Sequence, residues 1–384
     1  MALTSSPNPI SADQIRTEFG ATSGTSVRFG DYRAVNQTVG SLSGLPLDAG
    51  IPQSGPIGFG SFYSKRLNVV VDLYSGSAET RVDARTKYDA NQITIIGGFK
   101  TAEQKPAAGA GSRIIANVNK LIGSEKGSRN YVALRTGTWG TDVNLEIVVG
   151  SNGKIIGAGG DGGNGGSFGA NPNRSLPRNE ESETAFNIGN ISAGNGGDGS
   201  SALGIEYPTK VINGGVIRAG RGGGGGGGSG SGVEFHDISD CKNRRTSPLV
   251  GGGGGAGGSG LPVGNGGQFG DYLSRLWNKN RGSTTMPTKG TSASATVNGQ
   301  GGSGGSVVPA DYPSTKCSAI KIAVSGAGGA AESDGGDGNN AYTSRGLGGK
   351  RGYAIIITST GSLVGGSISG NASDGDTLNP GTIT

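Results

Sequence analysis

Few residues of this 384-residue chain have the type and spacing that could run a reaction. Its one histidine, His236, would have to serve any serine–histidine–aspartate relay. The nucleophile-elbow pattern Gly301-Gly-Ser-Gly-Gly305 lies in a glycine tract, without the strand and helix that strain such an elbow. Dinucleotide fingerprints recur for the same compositional reason. Glu180, Glu181 and Glu183 could supply paired carboxylates for glycan cleavage, but the same group describes an ordinary solvated loop. Gly159-Gly-Asp-Gly-Gly-Asn164 and Gly335-Gly-Asp-Gly-Asn339 are spaced like calcium-binding nonapeptides, without the tandem array that builds a β-roll. Cys241 and Cys317 are too few for a disulfide framework and too isolated for a metal; they read as free thiols or one mutual disulfide. The reading is a non-enzyme with no catalytic residue, no metal and no cofactor.

Binding has better footing. Phe235, His236, Arg244 and Arg245 fall in one charged, irregular segment, 233–250, and Tyr272, Arg275, Trp277, Lys279 and Arg281 in another, 271–297. Aromatics mixed with cations on loops anchor sugars or protein loops. The plainer alternative is that Phe235, Leu273 and Trp277 pack the loops onto one another.

What must position those loops is glycine, with 81 residues gathered in short runs in which side chains recur at every third position. Period three is the polyproline II period: that helix has no internal hydrogen bonds, so its amides must pair sideways, and only glycine lets the axes approach. A flexible linker and collagen also use glycine, but the runs lack collagen's proline and break their period after roughly ten residues. Runs fall near 157–169, 194–199, 219–232, 251–260, 264–270, 298–305, 326–338, 346–349 and 365–375. If successive runs go out and back, the strand-like connectors 201–218, 316–325 and 353–364 share one end. The irregular segments 170–193, 233–250, 271–297 and 339–345 share the other. A run of ten residues at ~3.1 Å each carries such loops about 30 Å from their base.

Val148–Gly160 and Val211–Gly223 repeat one phrase, apolar pairs around an Asn-Gly turn followed by glycines, with a looser copy at Ile355–Gly366. The phrase predicts a β-hairpin feeding a glycine helix. Residues 67–150, with the β-branched runs Leu67–Tyr74, Asn91–Ile96, Arg113–Val118 and Asn144–Val149, predict a small β domain with Trp139 as a core plug. Residues 1–66 differ, with spaced aromatics and a Ser11 cap opening a short helix that puts Ile15 and Phe19 on one face. The expected fold is mostly β and irregular with little α-helix: a segment 1–66, a β domain 67–150 and a polyglycine II sandwich 151–384, with β-hairpin connectors at one end and long loops at the other. A net charge of +5, spread along the chain, does not favour nucleic acid. No apolar run is long enough for a transmembrane helix, and the N-terminus lacks the regions of a secretory signal.

The phrases Pro9–Gly20, Val27–Tyr32 and Ile51–Tyr63 resemble a pattern at the start of many bacteriophage tail-associated and fibre proteins, departing from it at Gly30 and Arg33. That resemblance implies a virion-docking segment using Ile15, Phe19, Phe29, Tyr32, Phe59, Phe62 and Tyr63. Roughly residues 145–384, with their Asn-Gly turns and glycine runs, resemble the glycine-rich receptor-recognition adhesins of T-even-type phage long tail fibres. The implied role is a tail-fibre or tail-tip adhesin, assembled in the host bacterial cytoplasm and resident in the virion. It would bind other tail proteins through its N-terminal region and a host-surface glycan or outer-membrane protein through its distal loops. A homotrimer and a monomer on a trimeric shaft both fit. A stiff structural spacer, or a polysaccharide-cleaving spike, would be built from the same parts.

Overall fold

The computed structural model describes residues 3, 5–20, 26–33, 47–48, 50–73, 79–95, 113–141, 143–168, 190–231, 234–235, 245–246, 249–250, 252–270, 284–304, 306–307, 323–324, 326–331, 334–339 and 344–383. Its centre is a parallel β-solenoid with three faces. The first turn runs through Asn68–Asp72, Glu79–Thr80 and Val82–Asp83, and the second through Arg113–Val118, Leu121–Gly123 and Val132–Arg135. The third uses Asn144–Val149, Lys154–Ile156 and Ser201–Ile205; the fourth uses Pro208–Asn213, Val216–Arg218 and Ile355–Ile357. A fifth turn follows at Ser362–Leu363, Ser369–Gly370 and Thr377–Leu378, with Asp374 bridging Arg218. Each strand pairs in parallel with its counterpart one turn on, as in Ile114 with Leu145, Ile155 with Ile217, and Leu203 with both Leu134 and Ile355. Ile93–Ile95 adds antiparallel to the first strand.

Alternation along the strands fills the interior. Ile114, Ala116 and Val118 lie over Leu145, Ile147 and Val149, closed by Ile122, Ile155, Ile217, Leu134, Leu203 and Ile355 from the other faces. Helix α1 (Ala12–Phe19) and helix α2 (Ala84–Asp89) lie outside this stack. Tyr88 of α2 joins the interior cluster and meets Trp139 edge-on at 5.3 Å, so the tryptophan plugs the core as expected. The Ser11 hydroxyl accepts from the Gln14 amide at 3.1 Å while Gln14 accepts from Ser11, the cap predicted for α1.

Four expectations are corrected here. The Asn-Gly phrases are not hairpins: Val148 pairs in parallel with Ile212 and Ile155 with Ile217, so the apolar pairs flank a corner between faces. A parallel stack supplies every strand with partners above and below, and the turn need not fold the strand back on itself. Ile355–Ile357 is not a third copy of that phrase, because it lies on the third face beside Ser201–Ile205. Finally, 365–375 is not a glycine helix. It forms the fifth turn, with Gly365, Gly366, Gly370 and Gly375 at positive φ, outside polyproline II space. The sheets run through the boundary expected at residue 150, since 144–149 pairs with 113–118 on one side and 208–213 on the other.

The chain leaves the solenoid twice, after Ile156 and after Arg218, each time from the corner between the second and third faces. These excursions make ten rods among the described residues. Five run outward (157–166, 219–229, 264–270, 298–304, 335–339) and five run back (194–200, 252–260, 286–291, 326–331, 346–352). Their period is legible in the amides. Gly157, Gly160, Gly163 and Gly166 donate to the carbonyls of Arg218, Arg221, Gly224 and Gly227 at 2.8–2.9 Å. Gly159, Gly162 and Gly165 donate to Pro262, Asn265 and Gln268 at 2.7–2.9 Å. Three residues per turn with lateral bonds only is the polyglycine II arrangement.

Following the bonds places the rods in three layers of three, four and three. Rods 219–229 and 252–260 lie inside, each bonded to six neighbours, and they carry the longest glycine runs because they have no outward side on which a side chain could stand. The outer rods keep side chains on their solvent stripe, at every third residue in the glycine-rich rod 157–166. A Cβ on Gly255 would fall 2.0 Å from the Gly224 carbonyl oxygen, which excludes any other residue there without displacing the neighbouring rod.

One further expectation fails in this lattice. The segment 316–325 is expected at the solenoid end, yet Ala323–Val324 pairs with Ser306–Val307 at the loop end. Met286-Pro-Thr-Lys-Gly-Thr291 is an additional returning rod, and 326–338 is two rods, which reverses the direction of each rod between them. Rod 286–291 faces solvent on the rim and needs little glycine, so its sequence does not announce it.

Candidate functional site: the loop end of the rod lattice

Every outward rod turns back at the end remote from the solenoid, through segments between 167 and 191, 230 and 250, 271 and 285, 306 and 324, and 340 and 343. Rods joined by direct N–H···O bonds stand near the ~4.8 Å spacing of β-strands, so chains leaving adjacent rods continue as short ladders. Ser167–Phe168 pairs with Asn190–Ile191, Gly230–Ser231 with Leu249–Val250, and Thr284–Thr285 with Ser306–Val307. Leu249–Val250 lies against both Ser306–Val307 and Ala323–Val324, and Thr284–Thr285 pairs with Ser306–Val307, so the described residues that bound these segments share one end.

Phe235 stands opposite Arg245 in a ladder that also pairs Glu234 with Thr246. His236, Arg244, Tyr272, Arg275, Trp277, Lys279 and Arg281 lie outside the described residues, as do Cys241, Cys317 and the glutamates 180, 181 and 183. Sequence reasoning passed over the apolar rim. Phe269 and Met286, 41% and 48% exposed, flank the 271–285 segment, and Ile191 and Leu347 are more than half exposed on the opposite flank. Their signal was position, since each is a side-chain residue of a rod or ladder beside a loop.

The acidic and amide side chains within the rods have a different task. Asp161 Oδ1 accepts from the Asn265 amide at 2.7 Å and from Lys126 Nζ at 2.6 Å, and Asn164 Oδ1 accepts from the Gln268 amide at 2.9 Å. The motif spaced like a calcium nonapeptide therefore satisfies outward-facing amides of the next rod. Among the described residues no group of three His, Cys, Asp or Glu could hold a metal ion.

At the opposite pole the aromatic phrases of residues 1–66 form one cluster against the outer side of the solenoid's first face. Phe19, Tyr32 and Phe62 meet at 5.6–6.0 Å and pack with Ile15, Val70, Ile115 and Val148. Burial pushes the Tyr32 phenol above its ordinary value, against a smaller opposing effect of Arg16. Glu18, also buried, accepts from the Leu67 amide at 2.9 Å. The expected docking role of Ile15, Phe19, Tyr32 and Phe62 is thereby corrected. At 0–3% exposure they are core, because a segment this short buries its aromatics on the nearest apolar surface. Phe59, 43% exposed, with the half-buried Phe29 edge-on at 4.8 Å and the half-buried Tyr63, remains at the surface. No helix among the described residues is long and apolar enough to cross a membrane.

The family model of the phage tail fibre adhesin Gp38 matches residues 83–383. The gp37–gp38 adhesin tip complex of the bacteriophage S16 long tail fibre aligns over 87% of this chain and 88% of its own, at 15% identity and a TM-score of 0.27. No curated protein matches the chain.

Proposed function

Because the chain belongs to the phage tail fibre adhesin Gp38 family, and is thus a component of the virion tail, we propose that its loop end is the receptor-binding face. The observation that carries this reading is the common origin of the loops. The segments that mix aromatics and cations leave one end of a rigid lattice, about 30 Å from the solenoid at ~3.1 Å per residue. The ligand is a host-surface glycan or an outer-membrane protein, held by residues such as Tyr272, Trp277 and Arg281. The virion contact lies at the other pole, through Phe29, Phe59 and Tyr63 on the first face, across the solenoid from the corner where the rods leave. Its partner there is another tail-fibre protein, joined during assembly in the host bacterial cytoplasm.

Replacing 271–283 by a short glycine–serine turn tests the reading, with adsorption to host cells and thermal unfolding as measurements. A folded protein that no longer adsorbs, or adsorbs to other hosts, supports it; unchanged adsorption with an unchanged host range overturns it.

A further inference from the structure

A lattice bonded only through main-chain amides has a register problem. Sliding one rod along its neighbour by three residues restores every N–H···O geometry, as slippage does in weakly specified strands. Four rods are tied directly to the solenoid: 157–166 and 194–200 flank the first excursion, and 219–229 and 346–352 open and close the second. The remaining six, from 252–260 to 335–339, form a block joined to those four mostly by backbone. Where 219–229 meets 252–260 the residues from Gly222 to Gly228 face Gly252 to Gly258, with Ala256 as the one intervening side chain.

We propose that side-chain clasps on the rim set the axial register of this block and, on the reading above, the height at which the receptor loops stand. Two pairs cross from anchored rods to the block. Asp161 and Asn164 accept the Asn265 and Gln268 amides, and Asp334 and Asp337 accept the Arg351 and Gly348 amides, both at 2.9 Å. All eight positions repeat at the rod period, so each pair reads two successive turns. A three-residue slide toward the loops would bring Pro262, which has no N–H, opposite Asp161. A slide the other way would drive the 261–263 turn, held by the Ser124 amide on the Leu261 carbonyl at 3.0 Å, into the second turn of the solenoid. Asp161 and Asn164, with Asp334 and Asp337, are thus positioning residues that touch no receptor.

The test uses the full chain in a Cys241→Ser, Cys317→Ser background. Spin labels on Lys154→Cys in the solenoid and Gln300→Cys in the block report the distance between the two bodies. The expected result is one distance in this parent and in the variant Asp161→Asn/Asp334→Asn/Asp337→Asn, which keeps every acceptor oxygen. In Asp161→Ala/Asn164→Ala/Asp334→Ala/Asp337→Ala a second distance should be populated, displaced by a slide of about 9 Å along the rods. Amide exchange at Asn265, Gln268, Gly348 and Arg351 should quicken with it. One unchanged distance in the alanine variant means that Ala256, the Ser124 contact and the Arg218 guanidinium on the Ala295 carbonyl suffice, and overturns the proposal. Should the fourfold variant not fold, the two double variants are measured against the same criterion. Adsorption is scored separately: a shifted distance with unaltered adsorption leaves the register assignment standing and counts against the loops as receptor face.

Discussion

The solenoid and the rod lattice are two solutions to one problem, and they fail in opposite ways. In the solenoid, residues such as Ile147, Leu134 and Ile355 form an apolar cluster in which side chains do the packing. Apolar burial is non-directional and tolerates rearrangement of similar volume. In the lattice the packing atoms are main-chain amides, each directed at one carbonyl, and the seam between the inner rods admits no side chain larger than the Ala256 methyl. Ordering glycine costs about 1–2 kcal/mol per residue in backbone entropy, while a hydrogen bond contributes about 1 kcal/mol net. Such a lattice can persist only when nearly all amides are paired at once, so it should be cooperative, stiff and intolerant of substitution where the solenoid is forgiving.

That contrast can be broken most sharply at Gly255. Valine there meets the Gly224 carbonyl oxygen, and because six rods touch this one, the expected loss exceeds about 4 kcal/mol. Denaturant unfolding should then show the lattice melting before the solenoid, with adsorption abolished. If Gly255→Val melts like the parent, the lattice is looser than its bonds suggest. An intermediate effect is expected in the solenoid. Leu134→Ala should lower stability by about 2–5 kcal/mol and Ile147→Val by about 0.5–1.5 kcal/mol, the graded response of a hydrophobic interior. Equal losses at the two positions would deny that the solenoid tolerates small changes.

The smallest effect is electrostatic and lies on the rim. The Arg351 amide, then the Lys350 ammonium, hold the Asp334 carboxyl below its ordinary value of 3.8. A carboxylate depressed in the folded state stabilises fully above that ordinary value, and the contribution is lost as pH falls through the lower folded value. Asp334 and Lys350 are more than half exposed, so screening keeps the contribution small. Thermal melts of Asp334→Asn and parent should differ slightly near pH 6 and converge as the pH falls through the lowered folded value. A difference that grows in acid would reverse the assigned sign.

Much of this was readable from residues alone, where a local period specifies a local form. The threefold spacing of Asp161 and Asn164 among glycines announces a rod with one outward stripe. Ser11 and Gln14 announce the start of α1, and the β-branched run Arg113–Val118 announces a strand. Less legible was anything that depends on which segment lies beside which. Asn152-Gly153 suits a hairpin as well as a corner, and only the strand stacked above it, 208–213, makes it a corner. The rod 286–291 is invisible by composition because rim rods need few glycines, and missing it displaced 316–325 to the wrong end. The aromatics of residues 1–66 read as docking side chains until an apolar outer face at Val70, Ile115 and Val148 was found for them to cover.

The sequence by itself determined the secondary form of each stretch, because period and backbone freedom are properties of neighbouring residues. It also determined which rods lie inside, since a rod bonded on all sides can carry almost no side chains. Tertiary structure alone decided the order of stacking, the direction of each rod and the pole at which each loop emerges. Those depend on pairings between residues far apart in the chain, and the backbone amides that make them are the same at every position.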